Sequence, residues 1–198
     1  MNKFEETQQL LRKTKANVIA TEENWRSFLN TSAKMYKHEF NTQLLIHAQK
    51  PDFTACTTFE KWTSKNDGMN RHIIKGQKGI PFINENNKLE YLFDITQTDM
   101  KKNEKSINPW IWSINDNHID AFNKRLDEKF NTNGATLKEK LIDLVVSKVT
   151  ANYQKYSQDL KNVDDSHFHE FLTSSVCYSV LQRCGIEDKS DIEHFRYI

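Results

Sequence analysis

Glycine, proline and cysteine are scarce in this chain of 198 residues, which contains five glycines, three prolines and three cysteines. So few glycines and prolines exclude a collagen-like or low-complexity chain. The cysteines, Cys56, Cys177 and Cys184, are odd in number and lack the spacing of a disulfide framework. We therefore expect reduced thiols and a cytoplasmic protein. The 12 Phe, six Tyr and four Trp residues argue against a disordered chain.

Long hydrophobic runs are missing as well. No stretch approaches the roughly 18 apolar residues that a membrane-spanning helix requires. The N-terminal segment MNKFEETQQLLRK lacks the apolar centre of a signal peptide. We therefore expect no membrane partner and no secretion by this route.

The charge of the chain is nearly balanced overall but unevenly distributed. Its net charge is +1, which indicates no particular partner. Residues 1–105 contain 17 basic and 13 acidic residues, whereas residues 106–198 contain 11 and 14. Between residues 61 and 80 there are five basic residues and one acidic residue. This segment predicts a basic patch inside a nearly neutral protein.

Catalytic motifs are incomplete. His169-Glu170 begins like the HExxH motif of zinc proteases, but Thr173 occupies the position of the second histidine. The run from Gly76 to Gly79 lacks the spacing of a phosphate-binding P-loop. No GxSxG motif of a serine hydrolase is present. We therefore predict that the chain is not an enzyme, with no catalytic residue and no cofactor.

A cluster of metal-ligating residue types occurs near the C-terminal end of the sequence. His167, His169, Cys177 and Cys184 lie within 18 residues, but their spacing matches no common structural zinc site. The favoured interpretation is capping histidines and core cysteines without a metal. A metal-dependent enzyme using His167, His169 and Cys184 is the less favoured alternative.

Apolar residues recur at helical spacing through most of the chain, which predicts an α+β fold that is predominantly helical. Thr21 is placed to cap a second helix, and Thr136 with Glu139 forms a capping box. Ser166 and Gly185 are placed to begin and end a later helix. The predicted helices cover about residues 3–19, 22–40, 43–49, 57–65, 116–133, 136–160 and 166–184. We expect the helix at 57–65 to bury Phe59 and Trp62. Asp116 is placed to cap the helix that follows it, and Asn133-Gly134 is placed to end that helix.

The pattern changes between residues 71 and 96. Short β-branched and aromatic runs are separated there by glycine and asparagine, which predicts a small antiparallel sheet of about three strands. Asn86-Asn87 suits a hairpin turn. The polar segment 99–109 reads as a linker, so we expect a nucleic-acid-binding region at 1–105 and a helical region at 106–198 that packs on it.

The residues favour nucleic acid as the partner of the basic segment. Lys75 and Lys78 flank Gly76, and Arg71 and Lys61 extend the charge. Aromatic residues are interleaved with these charges, and single strands are bound by such mixtures of cationic and stacking side chains. The alternative is that this segment binds nothing. Regularly spaced aromatic residues commonly fill a core, and clusters of charged residues commonly form a solvated face.

Several motifs in order resemble the N-terminal domain of ArdC-type antirestriction proteins and of LtrC-like proteins carried by conjugative plasmids and transposons of Gram-positive bacteria. The resemblance covers roughly residues 20–100, and the segment SSVCYSVLQRCGI at 174–186 is similar to the LtrC-like group. Thr42 departs from the family, where asparagine is common. The motifs are Trp25-x-x-Phe28-Leu29, Tyr36-x-x-x-Phe40-x-x-Gln43-Leu44-Leu45-Ile46-x-x-Gln49-x-Pro51, Trp62, Ile74-Lys75-Gly76-Gln77-Lys78-Gly79-Ile80 and Tyr91-x-Phe93-Asp94-Ile95-Thr96-Gln97-Thr98.

The resemblance implies binding of single-stranded DNA with little sequence preference, and a role in conjugative transfer or in protecting the incoming strand from restriction. In such proteins this domain usually precedes others, so we expect a binding module of a larger protein. An alternative is an interaction module whose acidic second half docks relaxosome or other conjugation proteins. The implied contacts are Arg71, Lys75 and Lys78 to phosphates, Gln43, Gln49, Thr96, Gln97 and Thr98 to sugars or bases, and Tyr36, Trp62 or Tyr91 stacking on bases.

Overall fold

The computed structural model describes residues 2–102, 104–109, 114, 116–157, 165–193 and 195. The chain divides into two compact units, Met1–Ile111 and Trp112–Ile198. The described residues form mostly helices together with small antiparallel sheets, so the predicted α+β, predominantly helical fold class is confirmed.

The first unit begins with helices whose ends follow the capping residues of the sequence. The hydroxyl of Thr21 accepts a hydrogen bond from the Asn24 amide at 3.1 Å, as predicted. The predicted helix over 22–40 is interrupted after Lys34. In the corner that follows, the Gln43 side chain donates to the His38 carbonyl at 2.7 Å. The helices are α1 Lys3–Val18, α2 Glu22–Lys34, α3 Phe40–Gln49 and α4 Phe59–Thr63.

In the described part of this unit, five short strands form two antiparallel sheets. The larger has the order β1-β4-β3, and β2 pairs separately with β5. The sequence predicted a single region from 71 to 96, but β1 lies earlier and β5 extends into the segment predicted as a linker. Strands of three residues are too short to show an alternating pattern. The strands are β1 Cys56–Thr58, β2 Arg71–Ile73, β3 Ile80–Ile83, β4 Leu89–Asp94 and β5 Thr98–Met100.

The predicted asparagine turn joins β3 to β4. Asn87 has a left-handed backbone, with φ of 57°. The Asn84 side chain accepts hydrogen bonds from the amides of Asn86 at 3.0 Å and Lys88 at 2.9 Å. The hairpin at Asn86-Asn87 is therefore confirmed, and its register places Ile80 opposite Leu92.

The inner face of the three-stranded sheet packs against the helices. Leu44, Leu45 and Ile46 of α3 are fully buried. Because successive side chains of a strand point to opposite faces, Leu92 enters this core while Tyr91 and Phe93 face the other way. The core cluster consists of Met35, Leu45, Ile46, Phe53, Cys56, Ile80, Phe82 and Leu92.

The second unit contains α5 Ile119–Phe130, α6 Leu137–Ser157 and α7 Asp165–Arg183. The predicted capping box is confirmed, because the Glu139 amide donates to the Thr136 hydroxyl at 3.2 Å and the Glu139 carboxylate accepts from the Thr136 amide at 3.1 Å. Gly185 follows α7 with φ of 72° and ends it as predicted. Ser166 lies inside α7 and not at its cap, since the helix begins at Asp165.

The other end predictions for this unit were less accurate. Helix α5 ends at Phe130, and Asn131 caps it in a left-handed conformation with φ of 52°, before the predicted stop at 133–134. Asp116 belongs to a short 3-10 turn and not to the helix cap. Leu126, Leu141, Leu181 and Cys184 form the buried cluster of this unit. Among the residues described, no helix is both long enough and apolar enough to cross a membrane.

Two half-buried histidines, His38 and His47, predict how stability depends on pH. Burial lowers the pKa of His38, partly offset by its hydrogen bond to the Cys56 carbonyl, and burial lowers the pKa of His47. The unfolded chain therefore binds protons on these rings more readily than the folded chain. The stability contributed by the two neutral rings is fully present above pH 6.5, the ordinary pKa of histidine. It is lost as the pH falls through the lowered pKa values of the folded state.

We therefore expect the free energy of unfolding, measured with urea, to decrease from pH 7.5 to pH 5.5. The variants His38→Asn and His47→Gln should each show a flatter pH dependence across that interval. A slope unchanged in both variants would contradict this assignment.

Candidate nucleic-acid interface

The basic segment separates into a buried arginine and exposed lysines. Arg71 is only 6% exposed. Its Nε donates to the Thr98 hydroxyl at 2.8 Å and its Nη1 donates to the side-chain oxygen Oδ1 of Asn108 at 2.7 Å. Thr98 is also buried. The structure therefore places neither predicted contact residue on the surface, because both side chains join β2, β5 and the segment that follows them.

The residues between β2 and β3, 74–79, form an exposed loop that we call the lysine turn. Lys75, Gly76 and Lys78 are all exposed. The Gln77 amide donates to the Ile74 carbonyl at 3.1 Å. Gly76 has φ of 92°, and a Cβ added there would meet nothing within 4 Å. The backbone conformation at residue 76 requires glycine, although the space beside this residue is open.

Gln97 fastens the lysine turn to the end of β4. Its side-chain oxygen accepts from the Asp94 amide at 2.9 Å. Its side-chain nitrogen donates to the Lys78 carbonyl at 3.0 Å and to the Gln77 side-chain oxygen at 3.2 Å. Its backbone carbonyl accepts from the Ile74 amide at 2.9 Å. Gln97, predicted to contact DNA, thus has its amide group engaged within the protein.

Asp94 is a buried carboxylate at the centre of the same region, with 1% of its surface exposed. It accepts hydrogen bonds from the amides of Thr54 at 2.7 Å and Ala55 at 2.9 Å. It also accepts from the Thr96 amide at 3.1 Å and the Thr96 hydroxyl at 2.9 Å. Thr96 is exposed, although its hydroxyl is engaged with Asp94. Sequence reasoning did not assign Asp94 to the site, although an aspartate at the end of a strand and ahead of a turn is a capping signal.

Three aromatic residues form a surface on the outer side of the three-stranded sheet. We call Phe59, Tyr91 and Phe93 the aromatic face. Phe59 and Tyr91 are 55% and 43% exposed. Phe93 is half-buried and packs edge-on against Phe59, with their ring centroids 6.3 Å apart. The prediction that Phe59 is buried was wrong, because it begins α4 and extends toward Phe93 on the outer side.

The lysine turn and the aromatic face meet at Gly79. A Cβ added to Gly79 would lie 2.8 Å from Cζ of Phe93, so the ring covers the glycine backbone. A larger residue at this position would displace the ring. Because Lys78 precedes Gly79 directly, one end of the lysine turn lies beside the aromatic face. The contact between Gly79 and Phe93 therefore connects the lysine turn to the aromatic face.

The remaining predicted contacts are mostly structural. Trp62 is 1% exposed, and its indole donates to the Phe93 carbonyl at 2.7 Å, so its ring supports β4 from within. The buried Gln43 accepts from the Ser32 hydroxyl at 2.6 Å in addition to its bond to His38. Gln49 donates to the Pro81 carbonyl at 3.0 Å and connects α3 to β3.

Two of the remaining predicted residues are exposed, outside both the aromatic face and the lysine turn. Tyr36 lies at the α2–α3 corner, where the Lys37 ammonium is 5.8 Å from its ring centroid. Lys61 lies on α4, and its ammonium donates to the Asp67 carbonyl. Both can be reached by a ligand, and neither residue belongs to the lysine turn.

The three cysteines are buried, and burial makes their thiols weaker acids. Burial and, secondarily, the charge of Asp94 raise the pKa of the Cys56 thiol to about 12. Burial raises the pKa values of the Cys177 and Cys184 thiols to about 11. His169 lies 3.2 Å from the Thr150 hydroxyl. Within the described part of the chain, no three His, Cys, Asp or Glu side chains are grouped to hold a metal ion. The absence of a metal, a cofactor and an enzymatic activity stays a prediction.

Comparisons with known proteins return no relative. No protein-family model, no curated protein and no solved structure matches this chain. The resemblance to ArdC-type and LtrC-like proteins therefore rests on the motifs quoted from the sequence.

The hydrogen bonds of Asp94 predict a strong effect of its removal. Asp94→Ala would leave the buried amides of Thr54 and Ala55 without their acceptor. We expect a loss of about 3 kcal/mol in the free energy of unfolding, measured with urea at pH 7.5. Asp52→Ala, at an exposed position, should change it by less than about 0.5 kcal/mol. Equal small losses in both variants would show that the Asp94 network contributes little.

Proposed function

We propose that this protein binds single-stranded DNA, without strong sequence preference, through the aromatic face and the lysine turn. The observation that supports this most directly is the exposure of Phe59 and Tyr91 on the sheet surface that Gly79 joins to Lys78. Cationic side chains that follow the phosphates, together with aromatic rings on which bases stack, are the common features of such sites.

The geometry favours a single strand over a duplex. Exposed rings on a sheet can stack only on bases whose faces are accessible, and a duplex covers those faces with neighbouring base pairs. Stacking is available to every base, so the same arrangement supports binding without sequence preference. The choice of DNA over RNA rests on the resemblance to ArdC-type and LtrC-like proteins.

The small number of free lysines predicts a modest dependence on salt. Lys75 and Lys78 are exposed in the lysine turn, whereas the Arg71 guanidinium is engaged inside the protein. If two or three phosphates are neutralised, the logarithm of the binding constant should fall with the logarithm of salt concentration with a slope of about −1.5 to −2.

A role in conjugative transfer or in protection of the transferred strand is part of the same proposal, and it is supported by the resemblance alone. Such a role would require the protein in the recipient or donor cytoplasm, where single strands are present during transfer. Binding of DNA can be tested without assuming this role.

The test is fluorescence anisotropy with a labelled oligonucleotide of about 20 bases, in single- and double-stranded form, across a salt series. We expect tighter binding to the single strand. Phe59→Ala and Tyr91→Ala should each weaken it by about 5- to 100-fold, the range expected when one stacked base is lost. Lys75→Glu combined with Lys78→Glu should abolish measurable binding at moderate salt.

Two control variants match these changes. Phe130→Ala removes an exposed ring that has Lys129 and Lys148 within 6 Å of its centroid, and it should leave the affinity unchanged. Lys13→Glu with Lys15→Glu, on the exposed side of α1, makes the same change in net charge. Equal losses in the control and test variants would contradict the proposed site. No binding to either strand at low salt would contradict DNA binding and favour a protein partner, sought by pull-down.

A further inference from the structure

We propose that the paired amides of Gln77 and Gln97 act as a latch that holds the lysine turn in its binding conformation before DNA arrives. Gln77 was not among the residues predicted to form the site, and Gln97 was predicted as a direct contact. The inference assigns both a positioning role and rests on the proposed DNA binding.

The latch attaches the turn at its beginning and near its end. The Gln97 carbonyl accepts from the Ile74 amide at 2.9 Å, and the Gln97 side chain donates to the Lys78 carbonyl at 3.0 Å. Between these points, the same side-chain nitrogen reaches the Gln77 side-chain oxygen at 3.2 Å. One residue therefore contacts the first, fourth and fifth residues of a six-residue loop.

The latch is itself held from the other side. The side-chain oxygen of Gln97 accepts from the Asp94 amide at 2.9 Å, and the Asp94 carboxylate accepts from the Thr96 amide at 3.1 Å. This reciprocal arrangement is a capping box around the short 3-10 turn at Ile95–Gln97. The amide of Gln97 is consequently oriented by a buried residue, although it acts on an exposed loop.

A latch of this kind increases affinity by reducing the entropy that a loop loses on binding. Lys75 and Lys78 extend from a backbone exposed to water, so a loose turn would have to be ordered each time a phosphate is bound. The ammonium groups stay mobile in either case. The latch instead fixes the backbone positions of Lys75 and Lys78.

The opposite end of β3 offers a matched control. There the Asn84 side chain accepts from the amides of Asn86 and Lys88 and holds the β3–β4 hairpin in the same manner. That turn also carries an exposed lysine, Lys88. Asn84→Ala therefore loosens a comparable turn of the same sheet, away from the lysine turn.

The experiment compares Gln97→Met, which keeps the length of the side chain but removes its hydrogen bonds, with Asn84→Ala. We expect Gln97→Met to bind the 20-base single strand about tenfold more weakly. Hydrogen exchange should become faster at residues 74–79 in this variant. Asn84→Ala should accelerate exchange at residues 84–88 and leave the affinity unchanged.

Gln77→Ala keeps the inference testable if Gln97→Met does not fold. It changes an exposed side chain and should weaken binding by about two- to fivefold while accelerating exchange in the turn. Unaltered affinity and exchange in the glutamine variants, with an unaltered protein that binds DNA, would overturn the latch and leave the proposed function intact. An unaltered protein that binds no DNA would overturn both proposals.

Discussion

The buried carboxylate of Asp94 is the interaction on which the arrangement of the candidate site depends. A charge in a site that is 1% exposed is tolerated only when several donors satisfy it, and backbone amides from residues 54, 55 and 96 do so. These bonds fix the start of β1 against the end of β4. They also orient Gln97, which in turn fastens the lysine turn. One carboxylate thereby connects the strand that carries Tyr91 and Phe93 with the loop that carries the lysines.

The residue types that predicted a nucleic-acid site divide into buried residues that support the fold and exposed residues proposed for contact. Arg71 and Trp62 belong to residue types that commonly bind nucleic acids, yet both are buried and hydrogen-bonded inside the protein. The residues proposed for contact are simpler, namely Lys75 and Lys78 of the lysine turn and the aromatic face. This division explains how a short segment can hold a glycine-rich turn in a defined shape while keeping its charges in water.

The sequence was sufficient for most of the helices, the asparagine hairpin and the caps at Thr21 and Thr136, because these follow from local periodicity and local hydrogen bonds. It was insufficient where three-residue strands carry no periodicity, as in β1. Residue type also could not tell a buried from an exposed side chain. Arg71 and Gln43 were predicted as contacts and are buried, whereas Phe59 was predicted as core and is exposed. Only pairing between distant segments decides such cases.

The aromatic face is the central element of the proposed function, and photo-crosslinking tests it most directly. A single-stranded oligonucleotide containing 5-iododeoxyuridine would be irradiated in complex with the protein, and the crosslinked peptides identified by mass spectrometry. Stacking on the aromatic face predicts crosslinks at Phe59, Tyr91 or Phe93. Crosslinks confined to Tyr36 or to the second unit, from a complex that forms with good affinity, would contradict it.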